Sequence, residues 1–438
     1  MPIYWKMGLI WDIFDWLRMY KGRRLFYSVL FLFILALNGA QNALGSLSAD
    51  STDFWNDYYD FTSFFLDDNT GLTVFPLLTI PSGGRYEAMG TAFSAIADDP
   101  GFFDANPAGS ATLNYSELTF SHNAWIADTS VEGIRYSYRK KNLGLGFSGK
   151  FLYVPFTEYD SWGETVNSVY YTEGVAAVNA SYNFLKGYYF RGLSVGSNLK
   201  VAYRHVPEVI EKNQSAVNVL GDFGVLTRVN FLKFYRARDK NFSLSAVVRN
   251  LAPPMGEAVP TEATVGIGYK PVRPVSIDVD VNYPFAFMTD EPAESWNIAT
   301  GADVQIASFL SAQTGFHYRG GNPRFSLGTT LDLEFVRVNM NYTLGLDTQV
   351  QNPVDRFSIT ASMNLGDGGR FDIQKQVDEY YIAGLEAYAN GDFETAQKYW
   401  EAVLQLDNTF EPAQENLLII KQTLSLQKQL EDLNRVEE

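Results

Sequence analysis

Few residues of this chain are placed to do chemistry on a substrate. His122, His205 and His317 each stand without a second ligand or a nucleophile at useful spacing, and cysteine is absent. No Gly-x-Ser-x-Gly or His-Glu-x-x-His run occurs. Gly144-Leu-Gly146-Phe-Ser-Gly149 matches the dinucleotide fingerprint. Leu143, Leu145, Phe147 and Phe151 alternate through it, however, so it reads as a strand with no helix behind it. Asp278-x-Asp280-x-Asn282 opens like a calcium loop, but Tyr283 stands where glycine is needed and Thr289 replaces the bidentate glutamate. The absence of cysteine removes disulfides, thiolate metal sites and lipid acylation. The sequence therefore predicts no enzyme, no metal site and no cofactor.

What stands out is a conformational signature. Gly83-Gly84-Arg85-Tyr86-Glu87-Ala88-Met89-Gly90 places three glycines where backbone conformations closed to a β-carbon become available. Ala88, Ala92, Ala95 and Ala97 keep the following chain small enough to pack inside something else. Asp98-Asp99-Pro100-Gly101 is turn chemistry. In Asn106-Pro107-Ala108-Gly109 the proline holds Asn106 extended, and its amide can tie down neighbouring backbone. Arg85 fits two readings: paired with an interior carboxylate, or solvated.

This run, ending in Asn-Pro-Ala, resembles the N-terminal hatch of the FadL/TodX-type long-chain fatty acid transporters, outer-membrane barrels whose PorV-like relatives share it. The resemblance is specific over residues 82–111 and beyond them rests on strand count. It implies hatch roles for Gly84, Arg85, Gly90, Asn106, Pro107 and Ala108. In the family the Asn-Pro-Ala part lies near a kink in the third strand. Carried over, it would sit against residues 143–154, where Gly144, Gly146, Gly149 and the following Pro155 would permit such a kink.

The elements that must hold a hatch are legible as strands. From about Ser116 apolar and polar residues alternate: Val275, Ile277, Val279 and Val281 against Ser276, Asp278, Asp280 and Asn282. Candidate strands fall at 116–125, 131–140, 143–154, 174–184, 193–204, 217–229, 242–250, 262–271, 274–283, 296–307, 310–319, 325–332, 334–344 and 356–365. About 14 strands, mostly long enough to cross a bilayer at a tilt, predict a membrane barrel. Alternation alone also fits a soluble sandwich. Strand length, the export signal and the hatch resemblance decide for the barrel. Aspartates on the lipid face would each cost up to a few kcal/mol near the midplane, so the polar face should line the lumen. Thr157–Thr172 and Met288–Ser295 are expected as extracellular loops, and Lys140-Lys141-Asn142 as a periplasmic turn.

The chain has 438 residues, 15% aromatic and 19% charged, with a net charge of −16 and no basic patch, so nucleic acid is not an expected partner. Lys21, Arg23 and Arg24 precede a 13-residue apolar run, Leu25–Leu37, too short for a comfortable bilayer span. Residues 1–45 therefore read as a signal peptide starting at Met19, or alternatively as an anchor helix. The aromatic segment up to residue 80 fits either an interfacial lead-in or a capping segment.

After Asp367-Gly368-Gly369 the period becomes helical. Tyr380, Gly384, Tyr388, Gly391, Ala396 and Trp400 resemble the packing positions of one tetratricopeptide repeat, with a third helix near Glu411–Asn434 as a cap. Val403 and Asn408 depart from that pattern. Residues 371–438 carry 14 acidic and five basic residues.

The expected organisation is signal (1–45), lead-in and hatch (46–112), outer-membrane barrel (113–368) and periplasmic helical domain (369–438). The expected function is uptake of hydrophobic molecules, most of all long-chain fatty acids, across the outer membrane of a diderm bacterium, with outer-membrane lipid around the wall. The alternative is a scaffold or PorV-like secretion shuttle whose tail recruits a periplasmic protein.

Overall fold

The computed structural model describes residues 67, 69, 71–125, 129–235, 239–254, 258–288, 293–346 and 355–437. The expected export signal, the Met19 start and the lead-in to residue 66 lie outside them, as do residues 289–292 of the expected loop Met288–Ser295.

Fourteen antiparallel strands close into a barrel. They are β1 (Glu117–Ala124), β2 (Ser130–Lys140), β3 (Leu143–Tyr159), β4 (Thr165–Phe184), β5 (Leu193–His205), β6 (Ala216–Val229) and β7 (Phe242–Leu251). There follow β8 (Glu262–Val272), β9 (Val275–Pro284), β10 (Asn297–Ala307), β11 (Leu310–Arg319), β12 (Asn322–Asp332), β13 (Val336–Gly345) and β14 (Arg356–Asn364). Each strand pairs with its sequence neighbour, and β1 closes the ring on β14, from Glu117↔Asn364 to Ala124↔Phe357.

The wall is inverted relative to a soluble protein. Asp278 and Asp280 are buried in the lumen at 0% and 1% exposure, whereas Ile277 and Val281 are 39% and 43% exposed on the outside. An apolar outer face and a polar inner one are what a bilayer demands of a closed sheet.

One expectation fails in an informative way. Thr157–Thr172 is not a loop: β3 and β4 continue as a paired ribbon past Tyr153, where β2 ends, up to Tyr159↔Thr165. Threonine, valine and tyrosine along both arms favour extended backbone. The turn is made by Asp160, whose Oδ1 accepts from the Trp162 and Glu164 amides, and by Gly163 at φ 81°.

Inside the barrel runs the segment from Gly71 to Leu113. It contains a 3-10 turn (Pro76–Leu78), α1 (Gly84–Ala88), α2 (Phe102–Ala105) and a second 3-10 turn (Pro107–Thr112). Beyond β14 lie α3 (Arg370–Ala389), α4 (Phe393–Leu406) and α5 (Glu411–Glu437). Val377, Ala396, Trp400, Val403, Phe410, Ala413, Leu417 and Ile420 form their core. Gly384 lets α3 approach Trp400, Gly391 turns the chain at φ 79°, and the Tyr388 ring lies tilted against Phe393 and Trp400. One position differs from the expected set: Tyr381, not Tyr380, faces the core, against Trp400 and Phe410. Tyr380 lies outside and meets Tyr399.

Candidate functional site: the plugged lumen

The hatch is a compact knot of backbone. Gly83, Gly84 and Gly90 sit at φ 85°, 75° and 63°, which admits the tight entry to α1 and its exit. Asn106 is fully buried. Its Oδ1 accepts from the Ala108 amide at 3.0 Å, and its Nδ2 donates to the Ser94 carbonyl at 2.9 Å and to that of Val225, on β6, at 3.2 Å. Pro107 opens the second 3-10 turn, where its missing N–H is no loss, and its carbonyl accepts from Asn179 of β4.

The wall receives this knot through glycines. A β-carbon on Gly144 would run into Ser110 and Ala111, on Gly196 into Pro107, on Gly224 into Asn106, and on Gly315 into Gly90 and Met89. The expected placement against β3 is thereby corrected. Asn106 and Pro107 seat on β4 to β6, and β3 meets the following residues, with Gly146 under Phe103. Gly149 faces outward beside Ile134. β3 pairs with β4 without a register shift from Leu143 to Glu158, Pro155 included. Gly144 and Gly146 serve close approach to the hatch.

Ion pairs complete the seal. Arg85 resolves in favour of pairing. It meets Asp303 of β10 at 2.7 Å and the hatch's own Asp98 and Asp99 at 2.6 and 3.2 Å, and lies over the Phe93 ring. Burial pushes the Asp98 carboxyl up, but Arg85, with Lys270 and Arg228, outweighs this and holds it down at about 2. Asp104 is gripped by Lys150 at 2.7 Å and Arg135 at 2.9 Å, and Asp280 accepts from the Phe93 and Ser94 amides at 3.0 Å.

Above the hatch a cavity of about 100 Å³ remains, bordered by Leu78, Ile80, Tyr86, Phe103, Val175 and Val259 among others. Four cations also line it, each with a carboxylate partner: Lys150 with Asp104, Lys200 with Asp222, Arg249 with Glu262, and Arg319 with Glu294. Over the cavity lies a dry layer. Val74, Phe75, Leu77 and Ile80 pack on Val131, Leu152, Val175, Ala202 and Leu220, one from each of β2 to β6, and on Ala252 and Val259. Phe75 is held at φ 59°, ψ 61°, a left-handed conformation that costs a residue with a β-carbon roughly 1–2 kcal/mol. Outside, a shallow groove of about 600 Å³ crosses β1 to β5, and Lys150 and Val175 border both it and the cavity.

Sequence reasoning missed Asp303, the glycine sockets of β5, β6 and β11, and the apolar patch. Their partners lie far off along the chain, and within a strand each looks like ordinary alternation. The sequence model of the uncharacterised protein family UPF0164 matches residues 65–367. The chain belongs to UPF0164. Two UPF0164 proteins of Treponema pallidum (strain Nichols) are each 29% identical to it, over 80% and 82% of this chain and 83% and 77% of their own. Among solved structures, the TodX deltaS2S3 mutant monoaromatic hydrocarbon channel aligns with 65% of this chain and 99% of its own at a TM-score of 0.50 and 11% identity. The Ralstonia pickettii toluene transporter TbuX aligns over 66% and 100% at 0.46 and 12%. The closed barrel of this chain shares its fold with the TodX channel, and α3 to α5 lie beyond residue 367, where the family match ends.

Proposed function

We propose that this UPF0164 protein is an outer-membrane channel that takes small hydrophobic molecules from outside and passes them towards the periplasm by movement of the hatch. The observation that carries the reading is the cavity of about 100 Å³, roofed by an apolar layer and floored by the hatch. Hydrophobic cargo needs such an enclosure to cross a polar lumen. Long-chain fatty acids are the expected class from the hatch resemblance, and the monoaromatic hydrocarbons named for the TodX barrel belong to the same apolar range. Gly84, Arg85, Gly90, Asn106, Pro107 and Ala108 are the residues whose contacts must change for passage. The outer groove across β1 to β5 favours exit sideways into lipid as one branch of the route. Mass spectrometry of organic extracts of the purified protein tests this, with an unrelated empty barrel as control. A defined apolar ligand in near-stoichiometric amount is expected; background lipid alone would overturn it.

A second reading, a scaffold with a periplasmic recruiting tail, draws on how the helices are held. The β4–β5 turn inserts Tyr188 against Phe410, the Tyr189 amide donates to Glu411 at 2.8 Å, and Arg370 donates to the Arg139 carbonyl at 2.7 Å. A tail fixed to the barrel mouth is suited to presenting a partner there. Deleting residues 371–438 separates the readings: partner co-purification should vanish while extracted ligand persists.

A further inference from the structure

We infer that the mouth where hatch, wall and tail meet is a phosphate-binding site, formed by Arg139, Lys186 and Arg370. The inference is independent of the channel reading. Arg139, near the end of β2, donates through Nη1 to the Leu113 carbonyl at 2.6 Å and through Nε to that of Lys141 at 2.9 Å. Arg370, the first residue of α3, donates through Nη2 to the same Leu113 carbonyl at 3.4 Å, and also to the carbonyls of Asn114 and Arg139. Two guanidinium groups are thus held across one oxygen, and every partner of either is an uncharged carbonyl. Arg139 Nη2 and Arg370 Nε make no hydrogen bond among the described residues. Lys186, in the β4–β5 turn, lies in the field of both.

The acids of this junction are committed elsewhere. Asp367 accepts from the Gly369 and Phe371 amides at 3.1 and 2.6 Å, Asp407 from the Thr409 amide at 3.0 Å, and Glu411 from the Tyr189 amide at 2.8 Å. Asp367 acts on Arg370, and Asp407 on Lys186, without an ion pair to either. Burial, then Arg139, Arg191 and Arg370, hold the Lys186 ammonium below the usual lysine range, with Asp407 opposing them. In a chain of net charge −16 this is a half-buried gathering of like charges, and like charges so placed repel. A bound anion reverses that sign. Guanidinium forks match phosphate oxygens bidentately. A phosphate monoester carries about −1.5 to −2 near pH 7, closer to three cations than one carboxylate is. Leu185 and Phe371, the neighbours of Lys186 and Arg370, are 79% and 52% exposed. Such an apolar flank favours a phosphate that arrives with acyl chains, the head group of a phospholipid.

Arginine footprinting with phenylglyoxal, read by mass spectrometry, tests this on the full chain in a phosphate-free detergent at constant ionic strength. The probes are dihexanoyl phosphatidic acid and inorganic phosphate, with chloride as control. At ten times its Kd a probe should slow modification of Arg139 and Arg370 about tenfold. Phosphatidic acid should act at the lower concentration; equal potency of the two would keep the phosphate site and overturn the lipid source. Lys186→Gln should weaken protection about tenfold, the worth of one charge-assisted hydrogen bond, with circular dichroism verifying that α3 to α5 stay folded. Undiminished protection in Lys186→Gln would overturn the three-point site. No protection by either probe, or the same protection by chloride, would overturn the inference altogether.

Discussion

At the scale of single residues, Asn106 and Arg85 tie the hatch to the wall by different means. Asn106→Ala leaves the Ala108 amide and the Ser94 and Val225 carbonyls without their side-chain partner, at about 1–3 kcal/mol for each group left unsatisfied. The barrel ladders do not depend on it. The variant should keep its heat-modifiable band, show faster hydrogen exchange over residues 106–112, and transport ligand at a changed rate. Unchanged uptake would remove Asn106 from the mechanism. Arg85→Ala abandons Asp303, Asp98 and Asp99 together. Breaking a buried pair by removing one partner typically costs about 3–5 kcal/mol, and the expected readout is protease cleavage within 83–112 of an otherwise intact barrel. The acid limit follows from the same site. A carboxyl held below its ordinary 3.8 stabilises the fold above that value and loses this contribution as pH falls through about 2. Hatch protection should thus be level from pH 7 to about pH 5 and weaken only between about pH 4 and pH 2. A fall already at pH 6 would mean that another group controls it.

Among elements, the strands were the most legible, because a two-sided wall writes its period into every segment. The expected 242–250 and 310–319 are observed as Phe242–Leu251 and Leu310–Arg319. The β3–β4 ribbon escaped because above the membrane both faces meet water and alternation stops carrying information, as its run of exposed positions shows. The hatch motif was legible as a motif, but its seat on β4 to β6 was not: Gly196 and Gly224 lack any local feature that points to Pro107 and Asn106. The helices invite a separate test. Trp400 is 1% exposed and flanked by the tilted rings of two tyrosines, so Trp400→Ala should cost about 3–5 kcal/mol and melt α3 to α5 alone. Tyr188→Ala should leave those helices folded but free the tail, seen as new proteolysis near residue 368.

For the whole molecule, the class was readable from few charges, many aromatics and a long series of strands, whereas the cargo was not. The carboxylate partners of the lumen cations are set by three-dimensional register, Lys200 with Asp222 across neighbouring strands and Arg319 with Glu294 from a loop. No linear pattern distinguishes a free cation from a matched one. The glycine sockets carry a final consequence, for the order of construction. The hatch precedes β1 in the chain, yet it is keyed into Gly144, Gly196, Gly224 and Gly315 by fits too close for a finished cylinder to admit. A wall that curls around a core already in place accounts for such fits, and the seam between β1 and β14 is then expected to zip last. The hatch is, in that sense, the mandrel on which its own pore is wound, and a chain that begins at β1 should assemble slowly or miscount its strands.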